Sequence, residues 1–258
     1  GNDKNGGTDL TEVSLAAADQ GTDSPTNNFA TLNPLYPSSS GFTPQSGAAH
    51  TEGNCQFATS NGSGDWGTAV STIGLTAGKW YAECKLSASS GNGLIGIKGV
   101  YDSATGGSAK FFGETTGDVS IYGSDGESYS GVGAANGVSY GDTFGANDIL
   151  GVYLDLDNNK LYLGKNGTVQ NSGTGISITD PASVSFGHYL LACQEWNSSG
   201  NGTFQWNFGG CSAFTVSSAN SDTNGYGNFE YDPSSGTFDG ASKDFLAICT
   251  KNLGSDGG

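Results

Sequence analysis

The sequence predicts an all-β fold in which two antiparallel sheets pack face to face as a β-sandwich, and three observations support this prediction. Glycine supplies 44 of the 258 residues, well above its usual share of about 7%, which indicates frequent turns. Apolar residues alternate with polar ones along short segments, as in strands that bury one face. No segment has the 3.6-residue period of a long amphipathic helix. About 12 short strands of this kind suit two packed sheets better than one closed barrel.

The predicted strands are separated by clusters of Gly, Asn, Ser and Asp. The first lies between Pro25 and Pro34, and we expect it at a sheet edge because proline cannot donate a ladder hydrogen bond. The others cover residues 56–60, 79–88, 93–98, 118–123, 149–155, 160–163, 189–196, 202–208 and 245–249.

Two turns predict that neighbouring strands pair antiparallel. Residues 149–156 carry apolar side chains at every second position and run through Asp157-Asn158-Asn159 into residues 160–163, which is the pattern of a hairpin. The dipeptide Asn166-Gly167 follows, and it favours a tight type I′ turn because both residues tolerate positive φ.

The alternation in residues 80–86 places Trp80, Ala82, Cys84 and Leu86 on one face, which we assign to the core. Cys249 shares a face with apolar neighbours in the same way. The chain has five cysteines, an odd number, and no Cys-x-x-Cys pair, so a zinc ribbon or finger is not expected. We expect buried free thiols that pack as small hydrophobic groups, with disulfides as the alternative.

The charge balance excludes several classes of partner. Nine Lys and no Arg oppose 25 acidic residues, and the net charge is −16. So few cations cannot supply the contacts that hold phosphate and read guanine, so nucleic acid and anionic membrane surfaces are not expected as partners. No apolar stretch is long enough to span a bilayer.

The composition divides the chain into three predicted parts. Residues 1–22 are rich in Gly and Asp and are predicted to be an extended arm or linker. Residues 23–253 form the predicted sandwich, and residues 254–258 are predicted to be a flexible tail. No coiled-coil heptads enforce an oligomer, although a homo-oligomer is compatible with the sequence.

Five pieces of the sequence, in the right order, resemble a SPRY domain. They are Gly78-Lys79-Trp80-Tyr81-Ala82-Glu83, Ile95-Gly96-Ile97, Gly141-Asp142 with residues 148–157, residues 161–167, and Trp206-Asn207-Phe208-Gly209. The resemblance extends over roughly residues 56–214. It implies a concanavalin A-like jelly roll that binds through loops rather than catalysing a reaction.

The flanking segments 26–35 and 244–253 look like the opening and closing strands of SPRY-like domains in bacteriophage structural proteins, notably those of marine phage. The sequence departs from the family pattern at Ala82 and Cys84, where larger apolar residues are usual, and at Gly164, which replaces an aromatic residue. No binding residue of the family can be assigned by motif.

The resemblance implies a non-enzymatic protein of the virion surface, in a tail, fibre or capsid-associated position on the extracellular particle. Its loops are expected to bind a glycan or protein of the host surface, and its N-terminal arm to dock to other virion proteins. Two alternatives stay open: capsid decoration or a fibre spacer without a ligand, and a glycan depolymerase.

Candidate ligand contacts are aromatic, amide and acidic side chains in predicted loops. An aromatic ring offers a stacking platform for the C–H face of a sugar, and neighbouring Asn or Asp side chains can bind its hydroxyl groups. The candidates are Tyr101, Asp102, Tyr122, Tyr129, Tyr140, Trp196 and Asn197.

Catalytic and metal-binding motifs are not found. The two histidines, His50 and His188, lie near no nucleophile signature, and Glu83 and Glu195 are isolated rather than paired as in a glycosidase. The segment that starts at Asp155 begins like a calcium loop but lacks the Gly and Glu that an EF-hand requires. We therefore expect no cofactor and no metal, although Ca²⁺ held by carboxylates from separate loops is not excluded.

Overall fold

The computed structural model describes residues 23–36, 48–59, 66–89, 91–100, 111–131, 133, 135–196, 201–234, 237–242 and 244–256. The predicted arm, residues 1–22, lies outside the described residues.

The described residues form seventeen strands and one α-helix. In chain order these are β1 (Ala49–Thr51), β2 (Gln56–Ala58), β3 (Trp66–Val70), β4 (Lys79–Ala88), β5 (Gly93–Lys98), β6 (Asp118–Tyr122), β7 (Glu127–Ser130), β8 (Val138–Ser139), β9 (Ile149–Asp155), β10 (Lys160–Lys165), β11 (Thr168–Val169), β12 (Ile176–Ser177), β13 (Leu190–Trp196), β14 (Thr203–Asn207), β15 (Thr237–Phe238), β16 (Ala241–Ser242), β17 (Leu246–Ala247) and α1 (Thr250–Asp256).

Two sheets build the body of the protein. The first has the strand order β1-β2-β14-β4-β9-β10-β11, with β12 paired to β10 and β17 to β4. The second has the order β3-β13-β5-β6-β7-β8, and β15 pairs with β16 in a separate hairpin. Within the part of the chain that the structure describes, every pairing between these strands is antiparallel except that of β17 with β4. The predicted all-β, two-sheet antiparallel sandwich is therefore confirmed.

The core lies between the two sheets. From β4 it receives Trp80, Ala82, Cys84 and Leu86, all fully buried, which confirms the predicted core face. The second sheet contributes apolar side chains such as Ile95 to the same cluster. All five cysteines are free thiols, and four of them are buried. Cys84, Cys193 and Cys249 belong to the apolar clusters, as the alternation predicted for Cys84 and Cys249.

The segment between Pro25 and Pro34 is not the predicted edge strand. Phe29 makes an isolated bridge to Cys249, beside the first sheet, whereas Leu32 makes one to Ser71, next to the second. Leu32 is fully buried in the core. The segment therefore crosses from one sheet to the other. Because its backbone hydrogen bonds are divided between the two sheets, it forms no continuous ladder with either.

The C-terminal helix α1 extends to Asp256, so it includes the first three residues of the predicted tail. Residues 257 and 258 lie outside the described part of the chain. Among the described residues, no helix has the length and apolar character needed to cross a bilayer.

Candidate functional site

Five aromatic rings gather on the outer side of the second sheet, which faces away from the core. We call this set the aromatic face; its members are Trp66, Phe111, Tyr122, Tyr129 and Trp196. Trp66 and Trp196 are directly opposite each other in the β3–β13 register, and their ring centroids are 5.2 Å apart. Phe111 joins the two halves of the set, with centroid distances of 5.4 Å to Trp66 and 4.8 Å to Tyr129.

The rings differ in their exposure to solvent. Phe111 and Tyr129 are buried, whereas Trp66, Tyr122 and Trp196 are half-buried. Tilted and edge-to-face contacts hold the set together. The result is a fixed apolar base from which three rings reach solvent.

Polar groups border the aromatic face. The Tyr122 hydroxyl donates to Asn92 Oδ1 at 2.6 Å, and the Tyr129 hydroxyl donates to Asp125 Oδ2 at 2.8 Å. Burial, with the Asp125 hydrogen bond as a further cause, raises the pKa of Tyr129 above its ordinary value. Glu127 Oε2 also accepts from Tyr129, at 3.3 Å. Acceptor oxygens therefore lie beside apolar rings, the combination that a sugar ring requires.

Three of the predicted contact residues, Tyr122, Tyr129 and Trp196, belong to the aromatic face. Tyr140 does not; it is buried in the core cluster between the sheets, where its hydroxyl accepts from Leu163 N–H at 3.1 Å. Burial raises the pKa of Tyr140 to about 12. The other three candidates, Tyr101, Asp102 and Asn197, lie outside the described residues.

Sequence reasoning missed Trp66 and Phe111. Trp66 opens β3, whose remaining residues are Gly, Thr, Ala and Val, and this segment was not recognised as a strand. Phe111 lies in an irregular segment and reaches the face through contacts distant in sequence. One signal could have identified Trp66. If residues 66–70 had been recognised as a strand, the two-residue period would have placed Trp66, Thr68 and Val70 on the same face.

The outer side of the first sheet is also aromatic, but it is covered. Tyr81 and Tyr153 project from β4 and β9 with centroids 4.5 Å apart, and Gly164 lies beside the Tyr153 ring. A Cβ at position 164 would lie 3.4 Å from that ring, which is ordinary van der Waals contact, and nothing in the structure explains the departure at Gly164. We call this side the covered face. The described residues 217–234, 237–242 and 244–249, the C-terminal cover, supply Phe229 and Phe245 to the same cluster.

Glu83 fixes the C-terminal cover to the first sheet. Its Oε1 accepts from the Tyr81 hydroxyl at 2.9 Å and from Tyr231 N–H at 2.7 Å. Its Oε2 accepts from Asn207 Nδ2 at 2.9 Å and from Glu230 N–H at 3.0 Å. Burial raises the pKa of Glu83 to about 7, although these hydrogen bonds oppose the rise. The carboxyl group is thus enclosed by protein donors.

Neither acidic residue considered for glycan cleavage lies in an open cleft. Glu83 belongs to β4 in the first sheet and Glu195 to β13 in the second, and both are fully buried. Asp155, at the start of the calcium-like segment, accepts from Asn158 and contacts Lys79. In the described ranges, no three His, Cys, Asp or Glu side chains are grouped as metal ligands would be.

Two solved structures show the same general architecture. One is the SPRY domain of human HERC1, with 16% identity, a TM-score of 0.45, and coverage of 65% of this chain and 94% of that chain. The other is a human SPRY domain, with 18% identity, a TM-score of 0.46, and coverage of 61% and 96%. The chain is similar to SPRY domains. No family model and no curated protein matches the sequence.

Proposed function

We propose that this protein is a non-enzymatic binding module that presents its aromatic face to a glycan of a host surface. The observation that supports this proposal is the set of three half-buried rings, Trp66, Tyr122 and Trp196, held on an apolar base beside Asn92 and Asp125. A sugar ring can stack its C–H face on an indole while its hydroxyls donate to the bordering oxygens.

The acidic border favours a neutral glycan at this face. Asp125 and Glu127 lie next to Tyr129, and the whole chain carries a net charge of −16. At the aromatic face, the charge of this border repels anionic groups and leaves neutral hydroxyl donors unaffected.

The virion surface is the proposed location. The support is the resemblance of residues 26–35 and 244–253 to flanking strands of phage structural proteins. Residues 1–22 are proposed to dock to other virion proteins. Mass spectrometry of cross-linked particles tests this: cross-links from Lys4 to a capsid or tail protein are expected, and the absence of the chain from purified particles would contradict the placement.

Binding is tested with an array of neutral and acidic surface polysaccharides. The protein is expected to bind neutral ones, and the double variant Trp66→Ala/Trp196→Ala is expected to lose that binding. Leu35→Ala is the control, since Leu35 is 88% exposed and is not one of the five rings of the aromatic face. Retained binding in the double variant would contradict the proposal.

Two further outcomes decide between the alternatives. Absence of binding to any host polysaccharide would favour a decoration or spacer role without ligand. Release of oligosaccharides from a polysaccharide incubated with the protein would show depolymerase activity and overturn the non-enzymatic assignment.

A further inference from the structure

A cavity of about 440 Å³ opens on the outer side of the first sheet. It lies where the start of β4, the turn between β9 and β10, and the β15–β16 hairpin meet. Its volume is within the range of roughly 300–1,000 Å³ that is usual for small-molecule sites. It is distinct from the aromatic face, which belongs to the second sheet.

The floor of the cavity is aromatic. Tyr162 and Phe238 stack with their centroids 4.3 Å apart and their planes 28° from parallel. Phe245 meets Phe238 edge to face at 5.5 Å. All three are buried, so the cavity has a rigid apolar floor.

One wall carries a charge-balanced pair. Asp155 is buried, and its carboxylate lies 3.8 Å from Lys79 Nζ. Asn158 donates to it twice, from its backbone N–H at 3.0 Å and from Nδ2 at 2.8 Å. Lys79 and Asp155 thus contribute fixed polar groups and little net charge.

A further lining residue of the cavity is Asp239. Its φ is +46°, in the left-handed region that Asp tolerates better than most residues. The Tyr162 hydroxyl donates to Asp239 Oδ2 at 2.9 Å, and Gly175 N–H lies 3.4 Å from the same atom. Asp239 itself is exposed at the mouth.

Lys160 supplies an ammonium group without a carboxylate partner. Among the described residues its hydrogen-bond partner is Ser177 Oγ, at 3.0 Å, and no carboxylate lies within ion-pair distance. The chain has only nine lysines, and two of them, Lys79 and Lys160, line this one cavity. In a protein of net charge −16, this is a local site where an anion could bind.

We propose that this cavity binds a pyranose that carries a carboxylate, that is, a uronic-acid unit. The ring lies over the floor, the carboxylate pairs with Lys160, and ring hydroxyls donate to Asp155 and Asp239. A phosphate group fits less well, because its second negative charge would face two carboxylates. A neutral sugar would leave the Lys160 charge uncompensated.

The test uses three pyranoses of the same ring and different charge: D-glucuronate, D-glucose and D-glucosamine. Each is titrated into the full chain and followed by ligand-observed NMR. Glucuronate is expected to bind with a Kd on the order of 1 mM, as one ring with one ion pair can provide. Glucose is expected to bind more weakly, and glucosamine most weakly.

Two variants with opposite expected effects on glucuronate affinity distinguish the proposal from a folding defect. Lys160→Gln is expected to weaken glucuronate binding about tenfold or more, the size of a lost charged hydrogen bond, and to leave glucose unchanged. Asp239→Asn removes a repelling charge and is expected to strengthen glucuronate binding about twofold to fivefold. Lys85→Gln is the control, since Lys85 lies near the other end of β4.

Several results would overturn the proposal. They are equal binding of the three sugars, preference for glucosamine, no saturable glucuronate binding, or no effect of Lys160→Gln. The double variant Trp66→Ala/Trp196→Ala is expected to keep glucuronate binding. Its loss there would assign the signal to the aromatic face and overturn the cavity, whereas failure of the glycan array alone would leave the cavity result standing.

Discussion

The two outer faces of the sandwich carry similar aromatic side chains, but only one of them is covered by another segment of the chain. On the first sheet, Tyr81 and Tyr153 are buried because the C-terminal cover packs Phe229 and Phe245 against them. On the second sheet, Trp66 and its neighbours keep part of their surface in contact with solvent. Aromatic content therefore does not distinguish a buried face from a solvent-accessible one; the presence of a covering segment does.

The two faces also differ in how their polar groups are satisfied. Around the covered face, buried carboxylates accept from backbone N–H groups of distant segments, as Glu83 does from Tyr231 and as Asp222 does from Ala247 at 2.9 Å. Around the aromatic face, tyrosine hydroxyls donate to side chains, those of Asn92 and Asp125. The first arrangement fixes the fold, and the second places acceptor oxygens beside half-buried rings.

The largest expected effect comes from removing a ring of the covered face. Phe245→Ala should lower the free energy of unfolding by about 3–5 kcal/mol, as for other buried Phe-to-Ala changes. Trp66→Ala, its matched change on the aromatic face, should cost about 1 kcal/mol because the ring is half-exposed. Urea denaturation measures both. Equal losses would mean that the aromatic face is also core.

The second effect is a pH dependence that arises at Glu83. Its pKa is about 7 in the folded protein against 4.5 for the ordinary group, so the folded state holds the proton more tightly. The free energy of unfolding should therefore fall as pH rises from about 4.5 to about 7, by about 3 kcal/mol in all. Denaturation across this range measures the loss.

The variant Glu83→Gln serves as the reference for that curve. It cannot titrate, so the difference between the two proteins should change with pH between the same limits and be constant above pH about 7. Glu114→Gln, at an exposed site, should follow the parent curve. A parallel pair of curves for the parent and Glu83→Gln would contradict the assignment.

A smaller loss is expected at Asp222, which joins the cover to the last strand and helix. Its Oδ2 accepts from Ala247 N–H at 2.9 Å and Asn252 Nδ2 at 2.7 Å. Asp222→Asn turns one of its oxygens into a donor and should cost about 2 kcal/mol of unfolding free energy. Asp142→Asn, at an exposed site, should cost nothing measurable, and a similar loss in both would contradict the role of Asp222.

The smallest stability effect is expected on the aromatic face. Tyr122→Phe keeps the ring and removes the hydroxyl that donates to Asn92. The free energy of unfolding should change by less than about 1 kcal/mol, while glycan affinity should fall because the border loses a polar group. Thermal melts and the polysaccharide array measure the two properties, and a large drop in melting temperature would place Tyr122 in the core instead.

Much of the sandwich was predictable because its central strands alternate strongly. The bounds of β4, β5 and β9 agree with the prediction, whereas β3 was missed because Gly67 and Thr68 weaken its pattern. Within the C-terminal cover, only residues 245–249 were predicted as a strand. The rest of the cover is rich in Gly, Ser and Asn and has no periodicity, so only contacts distant in sequence show that it buries a sheet.

The candidate site was predictable only in part, because the sequence identifies aromatic residues near turns but not the direction of their side chains. Tyr122 and Tyr129 were chosen as aromatic residues near polar turns, and they lie on β6 and β7 of the second sheet, in the aromatic face. Tyr140 has the same kind of neighbours, Ser139 and Gly141, yet its side chain turns into the core. Local composition does not report that direction, because it depends on which strand packs above.

The pairing of Glu83 with residues 230 and 231 has a consequence for biosynthesis. The donors lie 147 and 148 positions further along the chain, and at about 5–20 residues per second a ribosome needs about 7–30 s to supply them. During that interval the Glu83 carboxylate can bind only water in place of these two N–H groups, and the tyrosines of the first sheet are not covered. The first sheet is therefore expected to be covered late in folding, only after residues 230 and 231 have been synthesised.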